Sequence, residues 1–328
     1  MTTEPITFAG SERATARLGV GTWAWGDRST WGMGGYDHAL TEASIAQAWE
    51  ASLEAGVTLF DTAEVYGGGE SERIIGRLLA ADPARRSSAL IATKFMPSPW
   101  KLNVGPALRA AVMGSLDRLG VERIELYQIH GPISLRSHAA LAEALAAVHA
   151  DGLVSSVGVS NYSIKEMEDI HGELAKRGVP LGSNQIEFSL LRRRPETTGL
   201  LAACQRLGVV PLAYSPIGQG RLTGKYSAAN PPPGKRTFSA HPMSEVDPIV
   251  AELGRIGGAR DGRTPSQVAL AWIIAKGAVP IPGAKSAAQA RENAGALGWA
   301  LTADEITALD SVALQGQRTL QQRIWQHG

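Results

Sequence analysis

Eight short runs of apolar and β-branched residues punctuate the chain: RLGVGT from Arg17, VTLFD from Val57, ALIATKF from Ala89, IELYQIH from Ile124, SSVGVS from Ser155, GSNQIEF from Gly182, GVVPLAYS from Gly208 and AVPIPG from Ala278. Between them lie longer stretches, such as SIAQAWEASLEAG, ESERIIGRLLA, ALRAAVMGSLDRLG, HAALAEALAAVHADG and SIKEMEDIHGELAKRG, with apolar residues three and four positions apart. Strand-length runs alternating with amphipathic helical patterns predict repeated βα units around a parallel sheet. Further helices are expected around Pro248–Ile256, over TPSQVALAWIIAKG and over LTADEITALDSV.

Periodicity does not say whether eight parallel strands stay open or close. The polar residues do, because Asp61, Lys94, His130, Ser160, Gln185, Glu187 and Ser215 all fall at or just past the C-terminal end of a strand. In a closed barrel those ends converge on one rim, where active sites are built. The prediction is an α/β fold: one (β/α)8 TIM barrel domain spanning residues 1–328. Two segments break the repeat, about 23–41 and 215–245, and read as binding loops. The tail from Leu314 reads as surface packing that is free to move.

Composition narrows the function. With 32 basic and 31 acidic side chains the formal charge is +1, and 44% hydrophobic residues suit a large core. Nucleic acid is therefore not expected as a partner. The N-terminal stretch lacks a basic patch followed by an apolar core, and no apolar run approaches the roughly 18 residues of a membrane helix, so a cytoplasmic protein is expected. The single cysteine, Cys204, lies in an apolar stretch and reads as a small buried hydrophobe. The string GVGTWA, Gly19 to Ala24, matches a dinucleotide fingerprint but is followed by a Gly- and Trp-rich loop instead of the required helix. The seven histidines show no metal-ligand spacing, and GVSNY lacks the second glycine of a nucleophile elbow.

DTAEVYG, TKF, YQIH, GVSNY, NQIEFSLL, AYSPIGQG and IPGAK occur in this order at barrel-like intervals. Together they resemble the aldo-keto reductases, in particular the bacterial and plant-plastid branch that includes relatives of potassium-channel β-subunits. The resemblance implies a catalytic group of Asp61, Tyr66, Lys94 and His130. The chemistry of these side chains agrees. A carbonyl accepts hydride poorly unless its oxygen receives a proton or strong hydrogen bond, which Tyr66 can provide. Its phenol needs a neighbouring ammonium to act near neutral pH, which points to Lys94 held by Asp61. His130 would orient the carbonyl oxygen. Taken singly, each residue has a plainer use: a turn cap for Asp61, packing for Tyr66, a surface lysine at 94 and a turn histidine at 130.

The resemblance also implies a nicotinamide cofactor. Ser160, Asn161 and Gln185 would hold its carboxamide, and Tyr214 would lie against its ring. Ser215, Pro216, Ile217, Gly218, Gln219, Gly220 and Leu222 would form a strap over the pyrophosphate. Gly21, Thr22, Trp23, Pro282 and Gly283 complete the expected cofactor set. Lys285 stands where this branch often has an arginine for the adenosine 2′-phosphate, beside Gln289 and Asn293. NADPH is thus expected, with NADH a weaker alternative. Trp23, Trp25, Trp31, Tyr36, Met96 and Trp100 suggest an apolar or aromatic substrate lining, although all but Trp23, which follows the first strand closely, read equally as hydrophobic packing under a long loop. Arg192, Arg193 and Arg194 read as a solvated loop face. The expected activity is NADPH-dependent reduction of a small aldehyde or ketone by a monomer or small homo-oligomer. Two alternatives share these residues. One is an NADPH-binding regulatory or redox-sensing subunit with slow turnover, and the other a barrel lyase or epimerase with Lys94 as Schiff base.

Overall fold

A computed structural model describes residues 4–26, 40–83, 87–234 and 238–328. The chain opens with a hairpin, β1 (Ile6–Thr7) and β2 (Ala14–Thr15), which the hydrophobic pattern did not predict. Eight parallel strands follow: β3 (Gly19–Gly21), β4 (Leu59–Asp61), β5 (Leu90–Phe95), β6 (Ile124–Ile129), β7 (Val154–Ser160), β8 (Leu181–Glu187), β9 (Val210–Tyr214) and β10 (Val279–Pro280). Each coincides with an expected run. Neighbouring strands pair in sequence order, and the cylinder closes where the Gly21 N–H donates to Pro282 O at 3.0 Å. A side chain on Gly21 would place its Cβ 2.8 Å from Ile281 O, so closure here needs glycine. The sheet is therefore a barrel, and the GVGTWA string belongs to its seam.

Helices cover the outside: α1 (Trp23–Gly26), α2 (Glu42–Glu54), α3 (Glu70–Ala81), α4 (Val104–Leu119), α5 (His138–Ala150), α6 (Ile164–Ala175), α7 (Arg194–Thr197), α8 (Leu200–Leu207), α9 (Met243–Gly258), α10 (Pro265–Ala275), α11 (Ala287–Ala294), α12 (Ala303–Val312) and α13 (Leu320–Trp325). Several begin where a Ser or Thr precedes Glu or Gln by three residues. Ser163 with Glu166, Thr264 with Gln267, Thr302 with Glu305 and Thr319 with Gln322 each form a reciprocal capping box. Helix α9 starts five residues before the expected Pro248, which it carries inside.

Two apolar layers result. Leu59, Leu90, Ala92, Leu126, Leu212, Val279 and Ile281 fill the barrel, joined by Ile6 and Phe8 from the hairpin. The hairpin is held by Ser156 Oγ donating to Ala9 O at 2.7 Å and by Ser11 and Arg13 on Glu125. The larger layer lies between strands and helices and includes Trp49 stacked on Phe60 at 4.0 Å. Cys204 lies in this layer with its sulfur 3.5 Å from Met167 Sδ, and burial pushes its thiol up to about 12. The interior thus leaves the C-terminal rim as the place where polar groups gather. No helix among the described residues is long and apolar enough to cross a membrane.

The tail packs on the barrel. Leu314 pairs through its backbone with Leu190 and Arg193, and α13 carries the chain back across the rim to Gly328. Its backbone hydrogen bonds with the loop after β8 hold it on the barrel.

Candidate active site

Asp61 ends β4 and Lys94 lies in β5, one position before its end, both buried. The Lys94 ammonium donates to Asp61 Oδ1 at 2.6 Å, to Thr62 O at 2.7 Å and to Tyr66 Oη at 3.3 Å. Asp61 Oδ2 accepts from Gln185 Nε2 at 2.8 Å and from Gln128 Nε2 at 3.3 Å. The carboxylate therefore has donors on both oxygens, which is what a buried charge requires. Tyr66 begins a tight turn, Tyr66–Gly69, and its ring meets His130 edge-on with centroids 5.7 Å apart. His130 follows β6, with its N–H on Phe95 O at 2.8 Å. The four expected catalytic residues thus lie together.

The electrostatics differ from expectation at Tyr66. Burial raises its pKa above the ordinary phenol value, the Lys94 charge pulls it down and Asp61 pushes it up again, with a net rise. Lys94 therefore offsets burial without making the phenol acidic. Burial works against the Lys94 ammonium, but Asp61 and Tyr66 outweigh it and its pKa is raised. Burial and the Lys94 charge together hold His130 well below 6.5, so its imidazole is neutral at physiological pH. Its buried Nδ1 has no hydrogen-bond partner among the described residues.

Next to this group stand the residues expected at a nicotinamide. Ser160 Oγ donates to Gln185 O at 3.0 Å, Asn161 Nδ2 to Ser160 Oγ at 3.1 Å, and Tyr214 Oη to Asn161 Oδ1 at 2.9 Å. Asn161 has φ 63°, a conformation asparagine tolerates better than most residues. The strand-to-strap turn has positive φ at Ser215, Gly218, Gln219 and Gly220. Pro216 and Ile217 lie within it, and Ile217 O accepts from both Gly220 N and Leu222 N. The Leu222 side chain is fully buried in the outer core. Thr22 is buried, with its hydroxyl on Asp61 O at 2.9 Å. At the other end of the rim, α11 is capped by Ser286, Gln289 Oε1 accepts from Lys285 N at 2.9 Å, and Asn293 Nδ2 donates to Gly283 O at 3.3 Å.

The expected substrate lining divides. Trp23 is half-buried and meets Phe238 edge-on at 6.1 Å. Trp25 is a correction: it lies in the outer core with its indole N–H on Ala284 O at 2.8 Å, so packing occupies it. Met96 is half-buried, its N–H on Glu64, whereas Trp100 is 79% exposed. Trp31 and Tyr36 lie outside the described residues. The solvated reading of 192–194 is corrected too. Arg192 is 1% exposed and donates to Gly328 O at 2.7 Å. Arg193 bridges Glu196 and Asp310, and Arg194 alone is exposed.

Sequence reasoning missed the tail. Trp325 meets the His130 ring edge-on at 5.4 Å, over Gly131, where a Cβ would come within 3.0 Å of the indole. Gln326 Nε2 donates to Tyr214 Oη at 2.8 Å and to Glu187 Oε2 at 2.6 Å. Gln128, another partner of Asp61, was also missed. Its position two residues before His130 on an inward face was the available signal.

The arrangement can donate a proton from Tyr66, orient an oxygen with a neutral imidazole, and hold both in a buried ionic frame. Comparisons with known proteins show which family has this fold and sequence. A pyridoxal reductase (chloroplastic) from Arabidopsis thaliana is 39% identical over 322 residues, covering 94% of this chain and 86% of that protein. A glycerol dehydrogenase from Gluconobacter oxydans superposes with TM-score 0.80 at 26% identity, covering 98% of this chain and 99% of the other. An aldo/keto reductase from Klebsiella pneumoniae, solved in complex with NADP and acetate, gives TM-score 0.74 at 26% identity and covers 97% and 98%. The Aldo/keto reductase family model matches residues 17–314, and with that match this chain belongs to the aldo/keto reductase family of oxidoreductases.

Proposed function

We propose that this protein reduces aldehydes or ketones to alcohols with NADPH, with Tyr66 as proton donor. The observation that carries the reading is the Lys94 ammonium, hydrogen-bonded to both Asp61 and Tyr66, with His130 against the same phenol. The residues around it fit a nicotinamide dinucleotide: an amide-and-hydroxyl cluster at Ser160, Asn161 and Gln185, the Tyr214 ring, a strap with consecutive positive-φ residues, and Lys285 just before a capped helix. When bound, the cofactor supplies a hydride to the carbonyl carbon. The protein's part is to hold the substrate oxygen between Tyr66 and His130 and to deliver the Tyr66 proton as charge develops there. The phenolate is stabilised by Lys94 until solvent reprotonates it.

The Schiff-base reading is disfavoured by the same geometry. An amine nucleophile must be neutral, and Lys94 is a buried, ion-paired ammonium with a raised pKa. Because one relative is named a pyridoxal reductase, and aromatic side chains at Trp23 and Trp325 flank the rim, pyridoxal heads the panel of carbonyls to assay.

Tyr66→Phe tests the proposal. It keeps the ring and removes the donor, so kcat for carbonyl reduction should fall by roughly 10²- to 10⁴-fold while NADPH affinity holds. Turnover followed at 340 nm and cofactor binding by fluorescence would be measured side by side. Undiminished turnover would remove Tyr66 from the role. Tight NADPH binding by the wild type with no turnover on the whole panel would instead favour a regulatory subunit.

A further inference from the structure

Two covers of the rim, far apart in sequence, end on one carboxylate. Glu187, the last residue of β8, is 3% exposed. Its Oε1 accepts from the Ser239 hydroxyl at 2.6 Å and its Oε2 from the Gln326 amide at 2.6 Å. Ser239 belongs to the segment 238–241, whose Phe238 ring meets Tyr214 at 5.5 Å and Trp23 at 6.1 Å. Gln326 follows Trp325, which sits on His130, and its amide also donates to the Tyr214 hydroxyl. One cover thus touches the side of the rim given to the cofactor, and the other reaches the catalytic histidine.

The chemistry of Glu187 suits this junction. A carboxylate is acceptor-only, so its two oxygens can take two donors at once. It is also rigid and planar, so a hydrogen bond at one oxygen sets the torsion that aims the other. Burial raises its pKa above the ordinary glutamate value, opposed in turn by the charge of Arg192, with Nε 3.9 Å away, by the hydrogen bonds from Ser239 and Gln326 and by Arg221, with a net rise. The tail has a second hold nearby, where the N–H groups of His327 and Gly328 donate to Asn161 O at 3.0 and 3.2 Å.

We propose that Glu187 is a positioning residue that couples the two covers, so that segment 238–241 and segment 325–328 order together and jointly hold Tyr214. The effect on cofactor release rests on the reading of Tyr214 as the nicotinamide platform, whereas the coupling of the segments does not. By linkage the coupling must be reciprocal: loosening either segment loosens the other.

Amide hydrogen exchange by mass spectrometry on the full chain without cofactor tests this, with Ser239→Ala and Gln326→Leu. Ser239→Ala should accelerate exchange about tenfold in residues 320–328 as well as around 238–241, and Gln326→Leu should do the reverse. A merely local role would loosen only the substituted segment, and that result overturns the proposal. NADPH dissociation by stopped-flow fluorescence gives the second readout. Each single substitution should speed release by about tenfold, and the double should do little more than one, since the second hook is already loose once the first is gone. Full multiplication of the two effects would overturn the coupling. If the wild type fails to bind NADPH, the proposed cofactor reading fails, while the exchange experiment still decides whether the covers are coupled.

Discussion

Tyr66 and His130 are displaced in opposite directions from their ordinary ranges, and the same desolvation causes both. Removing water disfavours a phenolate and an imidazolium alike, so each residue is held in its neutral form. On the proposed mechanism the productive pair is protonated phenol with neutral imidazole, and it spans from below pH 6.5 to above pH 10. The pH profile of kcat/KM for carbonyl reduction should accordingly be flat through neutrality, without an inflection at 6.5, falling in acid as His130 gains a proton and in strong alkali as Tyr66 loses one. A midpoint at 6.5 would show that His130 is solvated during turnover. Lys285 carries a separate expectation. It lies just before α11, partly exposed, where an adenosine phosphate would meet a cation and backbone N–H groups. Lys285→Ala should weaken NADPH by about tenfold and leave NADH nearly unchanged, with the difference shrinking as salt is raised. Binding titrations of both cofactors at two ionic strengths check it.

The strap after β9 depends on one buried arginine. Arg221 is 2% exposed and donates to Gly218 O and Ser239 O, each at 2.8 Å, to His241 O at 3.3 Å and to Phe238 O. These carbonyls have lost water, and the guanidinium is what replaces it. Arg221→Met keeps much of the volume but removes the guanidinium donors, leaving Gly218 O only the backbone N–H of residue 221 at 3.3 Å, so stability should fall by about 3 kcal/mol and NADPH affinity with it. Urea denaturation and cofactor titration would both register the change. Unchanged cofactor affinity would mean that the strap holds its shape without the arginine. The tail is a different kind of element. Helix α13 has exposed Leu320 and Ile324, and its order comes from contacts at its ends: Trp325, Gln326 and the backbone beyond on one side, Leu314 and Gly316 against Leu190 and Arg192 on the other.

The molecule is held together across its outer layer by groups no single element contains. Asp310 on α12 accepts from Trp272 Nε1 at 2.8 Å and Lys276 Nζ at 2.6 Å on or beside α10, and pairs with Arg193 at 3.3 Å from the loop after β8. With Asp310 only 23% exposed, Asp310→Ala should lower stability by about 2 kcal/mol, seen as a lower urea midpoint with an unchanged slope. The barrel itself was legible in the sequence, because a parallel strand buried on both faces must be a short apolar run and its covering helix must be amphipathic. The rim was legible for the same reason, since a polar residue at the end of such a run can only lie where the barrel opens. Asp61, Lys94 and His130 were placed at the rim that way, whereas their grouping with Tyr66 as a catalytic set came from the resemblance to the aldo-keto reductases. The sequence did not reveal what depends on packing between distant segments. Arg192 looks solvated in a run of three arginines, yet the returning tail covers it. Trp25 looks like a binding aromatic, yet the core takes it. Gln326 carries no local pattern at all, because its meaning comes from Glu187 and Tyr214, 139 and 112 residues away. Hydrophobic periodicity is a property of neighbours along the chain and so specifies strands, helices and the rim. Which polar groups satisfy one another across that rim is decided only when tertiary folding removes their water and each must find a partner.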